Sequence, residues 1–191
     1  MPAAPLYPVF LKLEGRKVLL VGGGTVAAAK LDGLLAAGAR VMVVAPEIHP
    51  AFDREGVERQ QRPFAPQDLD GVWWAVAAAT PEVNRQVQAA AEARQLFVNA
   101  VDDPAHATAY LGGVVRRGDV AIAISTGGRA PALAGLLREA VEALLPADLD
   151  RWMDAADEAR RQWKQDGVPM EQRRPQLLET LNRLYGSRRA T

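Results

Sequence analysis

The sequence predicts an α/β fold: a Rossmann-like, doubly wound parallel sheet, followed by a small α/β segment and a helical tail. Between residues 16 and 101, apolar runs of strand length alternate with helical patterns. This alternation is typical of parallel sheets whose strands are connected by helices. The first apolar run leads into three glycines, Gly22–Gly24, and then into an alanine-rich helical pattern. Strand, glycine turn and helix in that order favour a dinucleotide-binding unit.

Composition narrows the functional classes. The 191 residues include 23 basic and 23 acidic side chains, so the chain lacks the basic surplus of nucleic-acid-binding proteins. The absence of cysteine excludes disulfides, thiolate metal sites and cysteine nucleophiles. No apolar run has membrane-spanning length, and the N-terminal residues do not form a signal-peptide pattern. We therefore expect a cytoplasmic protein that binds neither nucleic acid nor membranes.

The predicted elements of the first part follow in chain order. A short apolar segment, Tyr7–Leu13, is expected to lie against the edge of the domain. Five strands are predicted, at Arg16–Val21, Arg40–Ala45, Val57–Gln61, Val72–Ala78 and Leu96–Val101. Helices are predicted at Thr25–Ala37 and from Pro81 to about Ala93. Thr80 is a suitable N-cap for the second helix, because Pro81 fits the first helical position.

The glycine turn is the predicted cofactor site. Gly22, Gly24 and Ala27 have the spacing of the dinucleotide-binding motif. Gly22 permits the sharp turn, Gly24 lets a pyrophosphate approach the backbone, and Ala27 lets the helix pack closely on the sheet. We expect the cofactor to contact the whole turn, namely Gly22, Gly23, Gly24, Thr25 and Val26. A glycine-rich turn without a ligand is the alternative interpretation.

The end of the second strand departs from the motif. An acidic residue usually ends this strand and binds the ribose hydroxyls, but here Glu47 lies two residues late, after Pro46. Either Glu47 reaches back or the Pro46–Glu47 backbone contacts the ribose. No arginine occupies the place expected for a 2′-phosphate, which favours NAD over NADP. Ala79 and Thr80, at the carboxyl edge of the fourth strand, are also expected to contact the cofactor.

The pattern changes after Asp103. Two strands, Ala109–Val115 and Val120–Ser125, are predicted to be joined by Arg116–Asp119. The predicted helices that follow are Ala132–Leu145, Leu149–Gln165 and Met170–Tyr185. Of the four tryptophans, Trp73 and Trp74 are expected in the core, and Trp152 and Trp163 between the tail helices. An aromatic surface facing a flat substrate is the alternative for the last two.

Several motifs in this order resemble the precorrin-2 dehydrogenase family, the NAD-binding module of siroheme synthases. The resemblance covers residues 5–147 and rests on Val21–Ala27 with Lys30, Ala78–Thr80 with Asn84, Asn99–Asp102, Arg116–Asp119 and Ala123–Gly128. It implies NAD-dependent oxidation of the tetrapyrrole precorrin-2 to sirohydrochlorin. Some members of that family also insert Fe²⁺ into sirohydrochlorin to give siroheme.

The resemblance further implies a homodimer in which the C-terminal regions of the two chains build each other's cleft. The implied division is an NAD-binding domain at 1–113, a dimerisation segment at 114–147 and a helical domain at 148–191. The sequence does not separate a dehydrogenase from an enzyme that also chelates iron, because no histidine or cysteine cluster marks a metal site.

Asp102 matches the catalytic aspartate of that family. A carboxylate after a strand end, beside the nicotinamide, could accept a proton as hydride leaves. The alternative is that Asp102 or Asp103 caps a turn before Pro104, a role that Asp103 fits better. If that turn is helical, His106 shares a face with Asp102; otherwise His106 is a surface histidine.

The Ser125–Gly128 segment lies between a strand and a helix, where N–H groups and hydroxyls would bind an anion. Given the resemblance, that anion is a substrate carboxylate. The predicted substrate contacts are Asn99, Ser125, Thr126, Gly127, Gly128, Arg116, Arg117 and Arg129. Solvated surface charge is the alternative for the arginines and is favoured for Arg138. The rival function of another class is a non-catalytic NAD-binding regulatory module.

Overall fold

The computed structural model of the protein describes residues 5–186, which form two compact units. The first unit extends to Leu111 and also includes Ser125–Pro131. The second contains Gly112–Ile124 and the chain from Ala132 onward. The predicted three-part division stays a prediction, but the contacts group Ser125–Pro131 with the predicted cofactor-binding domain.

The first unit is built on a five-stranded parallel sheet. Its strands are β1 (Lys17–Val21), β2 (Arg40–Ala45), β3 (Val57–Gln61), β4 (Trp74–Ala77) and β5 (Val98–Ala100). The spatial order is β3-β2-β1-β4-β5, so the direction of winding reverses between β1 and β4. The register pairs Val21 with both Val44 and Ala77. The predicted doubly wound sheet is confirmed, and ligands bind such sheets at this reversal point.

Two layers of apolar side chains sandwich the sheet. Helices α1 (Thr25–Ala36) and α2 (Pro81–Glu92) contribute to opposite layers. Alternate residues of β1 point to the two faces, with Leu20 packing in the cluster that contains Leu31, and Leu19 in the cluster that contains Val87. Because both faces are buried, the central strands are continuously apolar rather than alternating.

The second unit contains a hairpin and three helices. Strands β6 (Gly113–Arg117) and β7 (Val120–Ile124) are antiparallel. The helices are α3 (Pro131–Leu144), α4 (Leu149–Asp166) and α5 (Met170–Gly186). The predicted connection at Arg116–Asp119 is wrong in length, because Arg117 pairs with Val120 and only Gly118 and Asp119 form the turn. Gly118 has φ 54°, the positive value that favours glycine at the first position of a two-residue hairpin turn.

Three smaller expectations have different outcomes. Trp74 is buried as predicted, but Trp73 precedes β4 and is 59% exposed, with the Arg16 guanidinium 3.5 Å from its ring centre. In the Tyr7–Leu13 segment the apolar side chains from Tyr7 to Leu11 are exposed, and only Leu13 packs in the core cluster of the first unit. The Trp163 indole donates to Gln176 Oε1 at 2.6 Å, which links α4 to α5 as expected.

None of the described helices has the length and apolar character needed to cross a bilayer.

Candidate cofactor and substrate site

A cleft of about 460 Å³ opens at the carboxyl ends of β4 and β5, beside the first turn of α1. Its walls bring together residues that are far apart in sequence: Val26, Ala78, Ala79, Pro81, Asn84, Val101, Asp102 and Asp103. Three predicted site residues, Val26, Ala79 and Asp102, therefore share one cavity. The cleft lies at the edge of the sheet where the sequence predicted cofactor binding.

The three glycines of the turn have different structural tasks. Gly22 has φ 124°, and a Cβ there would overlap the carbonyl oxygen of Ala78. A Cβ at Gly23 would overlap the carbonyl oxygen of Glu47. At Gly24, by contrast, no described atom lies within 4 Å of the Cβ position. The first two glycines thus allow backbone packing, and the third leaves an open surface that a phosphate group can approach.

The N-terminus of α1 is suited to an anion. Gly24 is its N-cap, and among the described residues no side chain caps the helix and no acidic residue lies in its first turn. The first N–H groups of a helix lack intrahelical partners, and the helix dipole favours negative charge there. The open backbone at Gly24 and the uncapped helix together fit the pyrophosphate of a dinucleotide.

The backbone after β4 is fixed by a buried amide. Asn84 is 3% exposed, and its Oδ1 accepts a hydrogen bond from the Ala79 N–H at 3.0 Å. Thr80 caps α2 as predicted, with its hydroxyl accepting from the Val83 N–H at 3.5 Å. Sequence reasoning did not place Asn84 among the site residues. The available signal was its helical spacing from buried Val87, because a polar residue on a buried helix face needs a specific partner.

The predicted ribose region lies against the glycine turn. The Glu47 carbonyl packs on Gly23, and the His49 N–H donates to the Gly23 carbonyl at 2.9 Å. Pro46 and Glu47 are both exposed. The backbone here is anchored to the turn, while the Glu47 side chain is exposed. Both alternatives for the ribose contact therefore stay predictions.

The two consecutive aspartates on the cleft wall differ in their surroundings. Asp102 has φ 58°, a left-handed conformation that is uncommon for residues other than glycine. Asp103 occupies the N-cap position of a short 3₁₀ turn, Pro104–His106, as its spacing from proline predicted. Its carboxylate oxygens, however, both lie 2.8 Å from His106 Nδ1. His106 therefore pairs with Asp103, and the helical turn that would have placed it on one face with Asp102 does not form.

The Ser125–Gly128 segment packs beside this turn. Gly128 has φ 74°, and a Cβ there would lie 3.0 Å from the Pro104 side chain and 3.1 Å from the Tyr110 ring. The Tyr110 hydroxyl donates to the Pro104 carbonyl at 3.0 Å. Tyr110 is a supporting residue that sequence reasoning missed, since no motif marks it. The predicted anion-binding segment and the aspartate turn thus form one packed region.

The two hydroxyls of this segment accept hydrogen bonds from their own turn. Ser125 Oγ accepts from the Gly127 N–H, and Thr126 Oγ1 accepts from the Ala130 N–H, each at 3.2 Å. Because a hydroxyl has one hydrogen to donate as well, both groups can still donate to a carboxylate. The segment retains the chemistry expected of an anion site.

Two of the predicted substrate contacts, Asn99 and Arg117, also have structural tasks. Asn99 is buried, and its Nδ2 donates to the Ala109 carbonyl at 2.9 Å, which holds the chain that returns after β5. Arg117 Nη1 donates to the carbonyls of Leu145 and Pro146 at 2.7 and 3.0 Å, just after the end of α3. A cation is favourable at a helix C-terminus. These bonds do not use Asn99 Oδ1 or the other guanidinium N–H groups of Arg117, so a substrate contact for either residue stays a prediction.

The other arginines divide between the units. Arg129 is exposed and lies in the first unit, with Ser125–Gly128 and the cleft. Arg116 is exposed on β6 in the second unit. Arg138 forms an ion pair with Glu142 at 2.7 Å along α3, which agrees with a surface role. Within the described residues, no three histidine or acidic side chains are grouped so as to hold a metal ion.

Comparison with known families places this geometry in context. An NAD(P)-binding family model matches residues 9–113, more than half of the chain. The chain belongs to this NAD(P)-binding family. A second family model, described as sirohaem biosynthesis protein central, matches residues 117–144 of this family member.

Individual relatives agree with these models. A siroheme synthase of Photorhabdus laumondii is 42% identical over 172 residues, covering 87% of this chain and 37% of the relative. Siroheme synthase 2 of Cronobacter sakazakii is 43% identical over 172 residues, covering 87% and 38%. The chain thus spans less than two fifths of these curated relatives.

One solved structure matches this chain over most of the length of both proteins. The precorrin-2 dehydrogenase SirC superposes with a TM-score of 0.68 at 25% identity, covering 91% of this chain and 88% of that chain. The predicted family resemblance and the predicted fold class are both confirmed by these matches.

Proposed function

We propose that this NAD(P)-binding family member is an NAD⁺-dependent dehydrogenase that oxidises precorrin-2 to sirohydrochlorin. The proposal rests mainly on one observation: Val26 of the glycine turn and the acidic residue Asp102 line the same cleft. The match to a precorrin-2 dehydrogenase of similar length supports it. The siroheme synthases support the same reaction, although this chain corresponds to only 37–38% of their length.

The residues of the cleft divide the binding task. The open backbone at Gly24 and the first turn of α1 would hold the pyrophosphate. The Ala79–Thr80 backbone, fixed by Asn84, would contact the nicotinamide half. When bound, NAD⁺ supplies the hydride acceptor. Because these groups are fixed by backbone packing and by a buried amide, the site needs little rearrangement to receive the cofactor.

Asp102 is the proposed proton acceptor. Oxidation of the substrate releases a hydride and a proton, and a carboxylate at the cleft wall accepts the proton. The substrate carries eight carboxylates, and the Ser125–Gly128 segment and Arg129 are positioned in the same unit to bind some of them. In this arrangement the carboxylates orient the tetrapyrrole while Asp102 acts at the reacting ring.

We also propose that the enzyme is a homodimer. Helix α3 carries four exposed leucines at helical spacing: Leu133, Leu136, Leu137 and Leu144, of which Leu136 is 65% and Leu144 83% exposed. An apolar stripe of this kind is typical of a helix that packs on another surface. A second copy of α3 and of the tail helices would cover it and complete the substrate cleft.

Anaerobic incubation with precorrin-2 and NAD⁺ tests the reaction, with NADH absorbance and the sirohydrochlorin spectrum as readouts. We expect both products from the wild-type protein. We expect an Asp102→Asn variant to lose about 10²- to 10⁴-fold in rate, the range typical of general acid–base groups. Retained NAD⁺ binding in that variant would show that the site still folds.

Two further results would change the proposal. Adding Fe²⁺ or Co²⁺ after the first reaction tests whether the same protein also chelates metal, since a spectral change above the metal-only blank requires insertion. A wild-type protein that binds NAD⁺ but never reduces it would overturn the dehydrogenase proposal. It would instead indicate a regulatory NAD-binding module.

A further inference from the structure

The cleft wall carries two consecutive carboxylates, although a single proton acceptor is sufficient for the proposed reaction. Asp102 and Asp103 both line the cavity. Within residues 5–186 the structure shows no hydrogen-bond or ion-pair partner for the Asp102 carboxylate, whereas Asp103 is bound through both oxygens to His106. Two neighbouring negative charges repel each other, so a hydrogen-bond donor that fixes the position of one carboxylate also changes the electrostatic field at the other.

The chemistry of the pair fixes where the imidazole proton lies. An ionised carboxylate only accepts hydrogen bonds, so His106 Nδ1 must donate to Asp103. In the neutral ring, Nε2 is then the unprotonated nitrogen. His49, the other histidine of the chain, has the opposite arrangement, because its Nδ1 accepts from the Ala51 N–H at 3.1 Å. The two rings should therefore adopt different neutral tautomers.

Two contacts hold the turn that carries the pair. Pro104 packs against Gly128, and its carbonyl accepts the Tyr110 hydroxyl. The Asp103 side chain is 23% exposed and that of His106 is 37% exposed, so the pair is only partly buried. Because Asp103 lines the cleft, its carboxylate would lie near a polyanionic substrate bound there.

We propose that His106 is a positioning residue of the proposed dehydrogenase. By binding Asp103 through Nδ1, it holds that carboxylate against the cleft wall and leaves Asp102 as the free proton acceptor. Without the imidazole, Asp103 would be free to swing into the cleft, where its charge would repel the substrate carboxylates and compete with Asp102 for the proton. This inference rests on the proposed function and assigns separate tasks to the two aspartates.

The kinetic test compares three variants with the wild-type protein in the NADH-forming reaction. His106→Ala removes the donor, and His106→Asn keeps an N–H close to the position of Nδ1. We expect kcat to fall about tenfold or more in His106→Ala, with the KM for NAD⁺ changed less than about twofold, because misplacing a catalytic group chiefly slows the chemical step. His106→Asn should recover most of kcat. Arg85→Ala is the matched control, because Arg85 forms an exposed i,i+3 pair with Glu82 on α2.

A second readout does not depend on turnover. Nitrogen-15 NMR of the two histidine rings, assigned with a His106→Asn sample, reports which nitrogen carries the proton. We expect Nδ1–H for His106 in the wild-type protein and a mixture dominated by Nε2–H in Asp103→Ala, while His49 keeps Nε2–H in both. This dependence tests the His106–Asp103 pair itself, whereas the split between kcat and KM and the recovery in His106→Asn test its role in the reaction.

The outcomes separate the two proposals. If the wild-type protein forms NADH and His106→Ala has the same kcat, the positioning role is refuted while the dehydrogenase stands. An Nε2–H tautomer at His106 in the wild-type protein, or His106→Asn as slow as His106→Ala, refutes it equally. If the wild-type protein forms no NADH, the proposed function fails and the catalytic role of His106 fails with it.

Discussion

Neighbouring glycines of the cofactor turn should respond in opposite ways to the same substitution. Gly24→Ala adds a methyl group where no described atom lies within 4 Å, on backbone with φ −88° and ψ −173° that alanine adopts freely. Gly22→Ala adds a methyl group that overlaps the Ala78 carbonyl, on backbone with φ 124°. The first variant therefore tests ligand binding, and the second tests folding.

The magnitudes follow from these environments. Gly24→Ala should change the free energy of unfolding by about 1 kcal/mol or less, the cost of replacing glycine by alanine at an N-cap. Its methyl group should raise the Kd for NAD⁺ at least tenfold, or about 1.4 kcal/mol, by blocking approach of the pyrophosphate. Gly22→Ala should cost about 1–3 kcal/mol of backbone strain and about 1–3 kcal/mol of overpacking. The combined loss of about 2–6 kcal/mol lowers Tm by about 4–24 °C for a chain of this length.

Thermal unfolding and calorimetric titration with NAD⁺ measure both effects on the same samples. Gly33→Ala is the control, because it lies within α1 and its added methyl group also meets no described atom within 4 Å. It should leave NAD⁺ affinity unchanged. Normal NAD⁺ affinity in Gly24→Ala would refute the assignment of the pyrophosphate to this turn. A large loss of Tm in that variant would refute the open space on which the reasoning depends.

Three other predictions concern support of the cleft, stability and assembly. Asn84→Ala leaves the Ala79 N–H without its acceptor and should cost about 1–3 kcal/mol of stability and weaken NAD⁺ binding, as measured by unfolding and titration. The hydrogen-bonded Arg62 guanidinium lowers the pKa of Asp68, so Arg62→Ala should lower the free energy of unfolding at pH 7. This difference should shrink as pH falls below the ordinary aspartate value of about 4, as measured by urea unfolding at several pH values. Leu136→Glu should raise the dissociation constant of the dimer at least about a hundredfold, as measured by sedimentation. In a symmetric dimer the substitution occurs in both copies, so about 1.5–3 kcal/mol of leucine burial is lost twice. An unchanged dimer would exclude this face of α3 from the interface.

The sheet could be predicted from sequence because its strands are buried on both faces and separated by helices with clear signals. The predicted and observed bounds of β2, Arg40–Ala45, are identical. Thr80 and Pro81 mark the start of α2 through local capping chemistry that needs no tertiary information. Such features depend on neighbouring residues alone, so sequence determines them directly.

The hairpin and the tryptophan environment could not be predicted in the same way. Arg116 and Arg117 resemble turn residues by polarity, but the pairing of β6 with β7 extends through them. Trp73 and Trp74 have the same chemistry, and only the start of β4 decides which of them is buried. A shift of one residue reverses the side of a strand that a side chain occupies, and sequence fixes strand ends poorly.

The arrangement at the two aspartates shows why spacing alone left two interpretations open for His106. A helical turn would have placed His106 on the same face as Asp102, but the left-handed backbone at Asp102 delays the turn until Pro104. Aspartate is one of the few residues other than glycine that adopt this conformation with some frequency. Here the Val101 N–H is held by the Ala77 carbonyl, so the chain leaves the sheet immediately before Asp102. Because this backbone bend interrupts the helical register, His106 pairs with Asp103 rather than lying beside Asp102. Asp102 lines the cleft and has no hydrogen-bond or ion-pair partner among the described residues.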